Sequence, residues 1–90
     1  MAQYAKKPVV VDAWQLDSGY AHPVWLTTAI ADGVVTLIEG ENMSTTATVQ
    51  TLEGVMTAQP QSFLIRGVYG EIYPCRADIF LNTYEEVTPA

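Results

Sequence analysis

Apolar residues recur along the chain at two different spacings, and each spacing predicts a different element. Residues 9–16 are rich in β-branched side chains and alternate with a period of two, which is typical of a strand. Within residues 23–32 the apolar positions share one face of a helix, and a proline suits the start of a helix. Gly33 can end it in a left-handed conformation. Residues 34–39 again predict a strand.

The second half of the chain predicts two β-hairpins. Each consists of two alternating runs around a dipeptide that ends in glycine: residues 45–52 and 55–58 around Glu53-Gly54, and residues 63–68 and 71–75 around Tyr69-Gly70. A dipeptide of this kind between β-prone runs favours a two-residue loop. This register places Val49 opposite Ala58, and Arg66 opposite Tyr73.

After the hairpins, Asp78 is expected to cap a short helix, with Ile79, Phe80 and Tyr84 packing it on the sheet. The expected fold is therefore one α+β domain over residues 1–90. It has a curved, mostly antiparallel sheet of five or six strands, one main helix and a short C-terminal helix, and an SH3-like partial barrel is one way to close the sheet. The predicted core is Val11, Leu26, Ile30, Val49, Phe63, Ile65, Ile72 and Phe80.

Charge narrows the classes of partner. The chain has 4 basic and 10 acidic residues, which gives a net charge of −6. Binding to a phosphate backbone depends on several Lys and Arg side chains, so we expect neither nucleic acid nor an anionic membrane as a partner. The charge is still compatible with a basic protein as a partner, and with a small anionic ligand bound close to the arginines.

The apolar content is high for a chain of this length. Hydrophobic residues make up 49% of the 90 residues, whereas a chain this short has only a marginal core of its own. We therefore expect a homo-oligomer, with a two-fold dimer as the simplest case. The sequence has no apolar run near the ~20 residues of a membrane span and no signal peptide pattern, which favours a cytoplasmic location.

Few residues suggest catalysis. His22 is the only histidine and Cys75 the only cysteine, so neither an intrachain disulfide nor a tetrahedral zinc site can form from such ligands. A nucleophilic cysteine needs a base, and a histidine that precedes a proline at a helix start is weak support for one. We expect a structural or solvated role for His22 and a small buried hydrophobic role at a strand end for Cys75, with no metal, no cofactor and no enzymatic activity.

One group of side chains stands out as a candidate binding surface. Arg66, Glu71 and Tyr73 are predicted on the outer face of the second hairpin, with Arg76 close by. Arginine and tyrosine are enriched where binding energy concentrates in interfaces. The alternative is that these side chains only fix the hairpin register through cross-strand contacts.

Parts of the sequence also match a recurring pattern. The segments concerned are Lys6-Lys7-Pro8-Val9-Val10, Thr51-Leu52-Glu53-Gly54, the run from Pro60-Gln61-Ser62-Phe63 through Gly70-Glu71-Ile72-Tyr73-Pro74-Cys75, Asp78-Ile79-Phe80 and Thr83-Tyr84-Glu85. They resemble small phage and prophage proteins of uncharacterised function, which carry a Pro-Gly-Asp-Tyr or Pro-Gly-Asp-Trp turn followed by a Gly-Glu-x-Tyr-Pro hairpin. Here Gln61-Ser62 replaces the Gly-Asp of that turn, and residues 18–43 are not covered.

The resemblance implies a phage-encoded accessory protein acting in the host cytoplasm. The leading expectation is a non-enzymatic protein that binds a host factor. A nucleotide-binding or nucleotide-sequestering oligomer is one alternative, and a structural or assembly component of the phage particle is another. An aspartate that serves a ligand in relatives would be missing here, because Ser62 stands in its place.

Overall fold

A computed structural model describes residues 2–5 and 7–87 of the chain. Over these residues the elements are β1 (Asp12–Gln15), α1 (Val24–Ala31), β2 (Val35–Glu39), β3 (Thr45–Thr51), β4 (Gly54–Ala58), β5 (Phe63–Arg66), β6 (Ile72–Cys75) and α2 (Ala77–Thr83), with a 3-10 turn at Glu41–Met43. The strands form two antiparallel sheets, ordered β1-β5-β6 and β2-β3-β4. The α+β prediction is confirmed. The strands divide between two sheets, and neither sheet closes into a barrel over the described residues.

Helix α1 begins and ends where its flanking residues dictate. Pro23 is extended at ψ 160° and its carbonyl accepts hydrogen bonds from the N–H groups of Leu26 and Thr27. At the other end Gly33 takes φ +77°, a conformation that is unfavourable for residues with a Cβ. The predicted helix is confirmed, although the proline precedes the first helical residue.

The main core lies between the two sheets and α1. Its buried members are Leu16, Leu26, Ala29, Val35, Ala47, Val49, Ala58 and Leu64. Among the predicted core residues, Leu26, Val49 and Ile65 are fully buried, whereas the other five are only partly buried. Leu64 is buried as well, although the alternation of the strand puts it on the same face as Arg66, which was predicted to point outward.

Helix α2 covers the other face of the β1-β5-β6 sheet. The Phe80 ring stacks on Phe63 with 3.9 Å between ring centroids and on Tyr84 with 4.8 Å. Ile79 is exposed, so the prediction that it packs on the sheet is wrong. Because α2 covers one face and the main core the other, the consecutive residues Leu64 and Ile65 are both 0% exposed.

The β3–β4 hairpin has a different register from the one predicted. Thr51 pairs with Gly54 and Val49 with Met56, so Leu52 and Glu53 form the two-residue loop. The Thr51 hydroxyl fixes this loop by accepting from the Glu53 N–H at 3.1 Å and donating to the Gly54 carbonyl at 2.7 Å. The shift amounts to two residues, so each side chain stays on its predicted face of the sheet.

The β5–β6 hairpin departs further from prediction. Arg66 pairs with Ile72, which leaves residues 67–71 as a five-residue loop. The Gly70 N–H donates to the Gly67 carbonyl at 3.0 Å, and the Gly67 N–H donates to the Glu71 carbonyl at 2.8 Å. The register is shifted by one residue from the predicted one, so the side chains of β6 exchange sheet faces relative to those of β5. Tyr73 therefore lies opposite Ile65, and the predicted cross-strand pair of Arg66 with Tyr73 is wrong.

Candidate functional site

A groove runs between α1 and the loops of both hairpins, and we call it the hairpin groove. Its volume is about 1430 Å³. The residues that line it are Val24, Trp25, Thr28, Ala29, Asp32, Val34, Gln50, Thr51, Leu52, Glu53, Met56, Arg66, Tyr69, Gly70, Glu71, Ile72 and Tyr73. It therefore has three walls, contributed by α1, by the β3–β4 loop and by the β5–β6 loop.

Helix α1 supplies the first wall because its two faces differ. Leu26 and Ala29 are buried in the main core. Val24, Thr28 and Asp32 follow one another at intervals of four residues and therefore share one helix face, which borders the groove. Val24 is 83% exposed, so the helix presents an uncovered aliphatic side chain at its start.

The two hairpin loops supply the other walls. Leu52 lies in the β3–β4 loop and is fully exposed, and Tyr69 lies in the β5–β6 loop and is 93% exposed. Both line the groove. Each of these two loops thus presents one uncovered large apolar side chain, and Val24 is the uncovered apolar side chain of the α1 wall. Apolar side chains that gather in this way around a concavity are typical of an interaction site.

The charged groups around the groove are mainly acidic. Asp32 belongs to the α1 wall, Glu53 to the β3–β4 loop and Glu71 to the β5–β6 loop, so each wall carries one carboxylate. Among the lining residues that the structure describes, Arg66 is the one cation, and its Nη1 also lies 3.3 Å from Asp12 Oδ2. Three carboxylates and one guanidinium give these described lining residues two net negative charges.

Two of the predicted site residues reach the groove with their charged groups partly engaged. Arg66 pairs with Asp12 across neighbouring strands, although both side chains stay about half exposed. The Glu71 carboxylate folds back over its own loop, where Oε2 accepts a hydrogen bond from the Tyr69 N–H at 3.0 Å. Glu71 therefore holds the loop that carries Tyr69.

Tyr73 borders the groove, but its hydroxyl belongs to the α2 side of the sheet. Burial, together with a hydrogen bond to Tyr84, raises the pKa of Tyr73 to about 12. The positions of Phe63, Ile65 and Tyr73 on that sheet face agree with this contact. Tyr73 therefore helps to fix α2 on the sheet, and it does not stack on Arg66.

Arg76 is not among the lining residues of the groove. It precedes α2, where Nε and Nη2 donate to Asp78 Oδ1 and Oδ2 at 3.1 and 2.6 Å. These hydrogen bonds hold the pKa of Asp78 below its usual range. Asp78 lies inside the first turn and Arg76 occupies the N-cap position, so the prediction of Asp78 as the helix cap is wrong. Of the four predicted binding residues, Arg66, Glu71 and Tyr73 therefore line the hairpin groove, and Arg76 lies outside it.

The two residues considered for catalysis lie apart from the groove. His22 is exposed, and its ring contacts Trp14 edge-on at a centroid distance of 5.0 Å. Cys75 is partly buried at the end of β6, opposite Phe63. Among residues 2–5 and 7–87, no three potential metal-ligating side chains lie together. Within the same residues no helix has the length and apolar character needed to cross a membrane.

A second, smaller cavity of about 650 Å³ lies between the segment that precedes β1 and α2. Val10, Phe80 and Leu81 contribute apolar surface to it, and Glu85 and Glu86 border it. None of the four predicted binding residues lines this cavity.

Three groove residues were missed by the sequence analysis. Leu52 was assigned to a strand, Tyr69 to a turn and Val24 to the helix without a role. A usable signal was present, because hairpin loops favour Gly, Asn and Asp, and a large apolar side chain there is unusual.

Comparison of the chain with known protein families, with characterised proteins and with solved structures finds no match.

Proposed function

We propose that this chain is a non-enzymatic binding protein that holds a segment of another protein in the hairpin groove. The observation that carries the proposal is the uncovered apolar side chain on each wall: Val24, Leu52 and Tyr69. Given the resemblance to phage and prophage proteins, the partner we propose is a host protein, and the location is the host cytoplasm.

The size of the groove supports a polypeptide as its occupant. Sites for small molecules typically have volumes of ~300–1,000 Å³. The hairpin groove exceeds this range at about 1430 Å³. Its three carboxylates also oppose the phosphates of a nucleotide. The second cavity falls within the small-molecule range, but Glu85 and Glu86 at its border oppose an anionic ligand in the same way.

The exposed aromatic ring of Tyr69 is the best candidate anchor. Tyrosine combines a large contact area with few rotatable bonds, so little conformational entropy is lost when it is immobilised. Its loop is already held by the Glu71 carboxylate and by the two backbone hydrogen bonds of Gly67 and Gly70. A loop fixed before binding loses less entropy on binding than a mobile one.

Selection from a random peptide display library tests the proposal. Peptides selected on the wild-type protein are measured for affinity against Leu52→Ser and Tyr69→Ser. The matched controls are Leu81→Ser and Tyr20→Ser, which make the same chemical changes at exposed residues outside the groove. All four proteins should melt close to the wild type, since exposed side chains contribute little to stability.

We expect each groove variant to weaken binding by about tenfold or more, the loss typical of an anchor residue in an interface. The two controls should bind as the wild type does. Selected peptides whose affinity ignores both groove variants would place the binding surface elsewhere and refute the proposal.

A further inference from the structure

We infer that the segment held in the hairpin groove is a basic amphipathic helix of about three turns. The inference rests on the proposed function and adds the chemistry of the partner. Each wall of the groove carries one uncovered apolar side chain and one carboxylate: Val24 and Asp32 at the two ends of α1, Leu52 and Glu53, and Tyr69 and Glu71. This repeated combination calls for a partner with an apolar face bordered by positive charges.

Charge complementarity distinguishes this partner from the other occupants. The lining carries two net negative charges, and the whole chain carries −6. Lys and Arg side chains beside the apolar face of the partner would meet Asp32 and Glu53, neither of which forms an ion pair within the described part of the chain. A second copy of this chain brings −6 to an acidic groove and is disfavoured by like-charge repulsion.

The volume of the groove, about 1430 Å³, leaves room for a short helix. A helix rises ~1.5 Å per residue, so apolar anchors at i and i+7 lie ~10 Å apart along its axis. About three turns therefore include these anchors and the basic residues that flank them. Helices that bind in grooves use apolar anchors at i, i+3 or i+4, and i+7. The number of such anchors matches the three uncovered side chains Val24, Leu52 and Tyr69.

Three patterned display libraries of equal diversity test the inference. In the first, 14-residue peptides have helical apolar spacing and Lys or Arg at the flanking positions. The second replaces those flanking residues by Glu, and the third alternates apolar residues with Lys, which suits an extended strand. We expect binders from the first library to be enriched at least tenfold over binders from the other two. Enrichment from the acidic or the alternating library overturns the inference.

Charge variants then test the role of the walls. Asp32→Asn and Glu53→Gln should each weaken the best basic peptide by about threefold at low salt, and both should reduce the salt dependence of its affinity. The matched controls are Glu85→Gln and Glu86→Gln, which change the net charge equally but lie at the second cavity. Equal effects from groove variants and controls would mean that only the overall charge matters, which also overturns the inference.

These outcomes separate the two proposals. Suppose that binders come from the acidic or the alternating library and lose their affinity for Leu52→Ser. The groove is then still the binding site, and only the inference of a basic helix is refuted. If no library gives binders that are weakened by Leu52→Ser or by Tyr69→Ser, the proposed function is refuted as well. Light scattering tests the remaining occupant, a second copy of this chain. If the mass of Leu52→Ser in solution is half that of the wild-type protein, the groove binds a second copy and the inference is wrong.

Discussion

The central strand β5 gives the sharpest test of the fold, because consecutive residues on its opposite faces are both fully buried. Leu64 faces the main core, and Ile65 faces the layer made by α2. In a sheet with one solvated face, one of two consecutive residues is dispensable. Here Leu64→Ala and Ile65→Ala should both destabilise the protein strongly.

The magnitude follows from burial. Each substitution removes three buried carbon groups, and at ~0.8 kcal/mol per group the lost transfer free energy is about 2.4 kcal/mol. The cavity that remains adds to this, so we expect a loss of about 3 kcal/mol in the free energy of unfolding for each variant. In a domain of this size that lowers the melting temperature by roughly 12–24 °C.

Urea unfolding followed by tryptophan fluorescence measures these free energies, since Trp14 packs against the main core. Leu52→Ala is the matched control, because it makes the same change at a fully exposed leucine and should stay within about 0.5 kcal/mol of the wild type. A loss below about 1 kcal/mol in either β5 variant would show that one face of this strand is open to solvent, contrary to the structure.

Three further predictions concern α2, the turn before β5 and the oligomeric state. The pKa of Tyr73 is raised from 10.0 to about 12, so its protonated hydroxyl contributes fully to the free energy of unfolding below pH 10, and this contribution is lost as the pH rises to about 12. After allowance for the partial exposure of the side chain, the contribution is about 1 kcal/mol. Urea titrations at several pH values should therefore show a smaller alkaline loss of stability for Tyr73→Phe than for the wild type. Gln61 has φ +68°, so Gln61→Gly should raise the free energy of unfolding by about 0.5 kcal/mol, whereas Gln59→Gly, at a residue without positive φ, should lower it by a similar amount. The homodimer predicted from apolar content stays a prediction, and light scattering that gives the mass of one chain across micromolar concentrations would reject it.

Local signals were sufficient for the elements. Pro23 and Gly33 bracket α1 because one suits a helix start and the other a left-handed helix end, and both effects act within a few residues. The turn at Pro60 shows the same principle. Gln61 takes a positive φ that glycine would adopt more easily, so the turn forms with a strained backbone at this residue.

Registers and the groove depended on contacts that a strand pattern does not contain. The sequence rule for two-residue hairpin loops takes no account of contacts made by the Glu71 side chain. Its carboxylate accepts a hydrogen bond from the Tyr69 N–H and occupies the space that a Cβ on Gly67 would need. A five-residue loop results, and it reverses the predicted facing of Tyr73. Burial of both faces of β5 depends on the docking of α2 through the ring stack of Phe63 and Phe80.

An amide chemical-shift titration of the isotope-labelled protein with the tightest selected peptide shows directly where the peptide binds. We predict that the perturbed amides cluster in residues 24–32, 50–56 and 66–73, which contribute the three walls of the hairpin groove. Perturbations confined to residues 9–13 and 80–87, which border the second cavity, would contradict it.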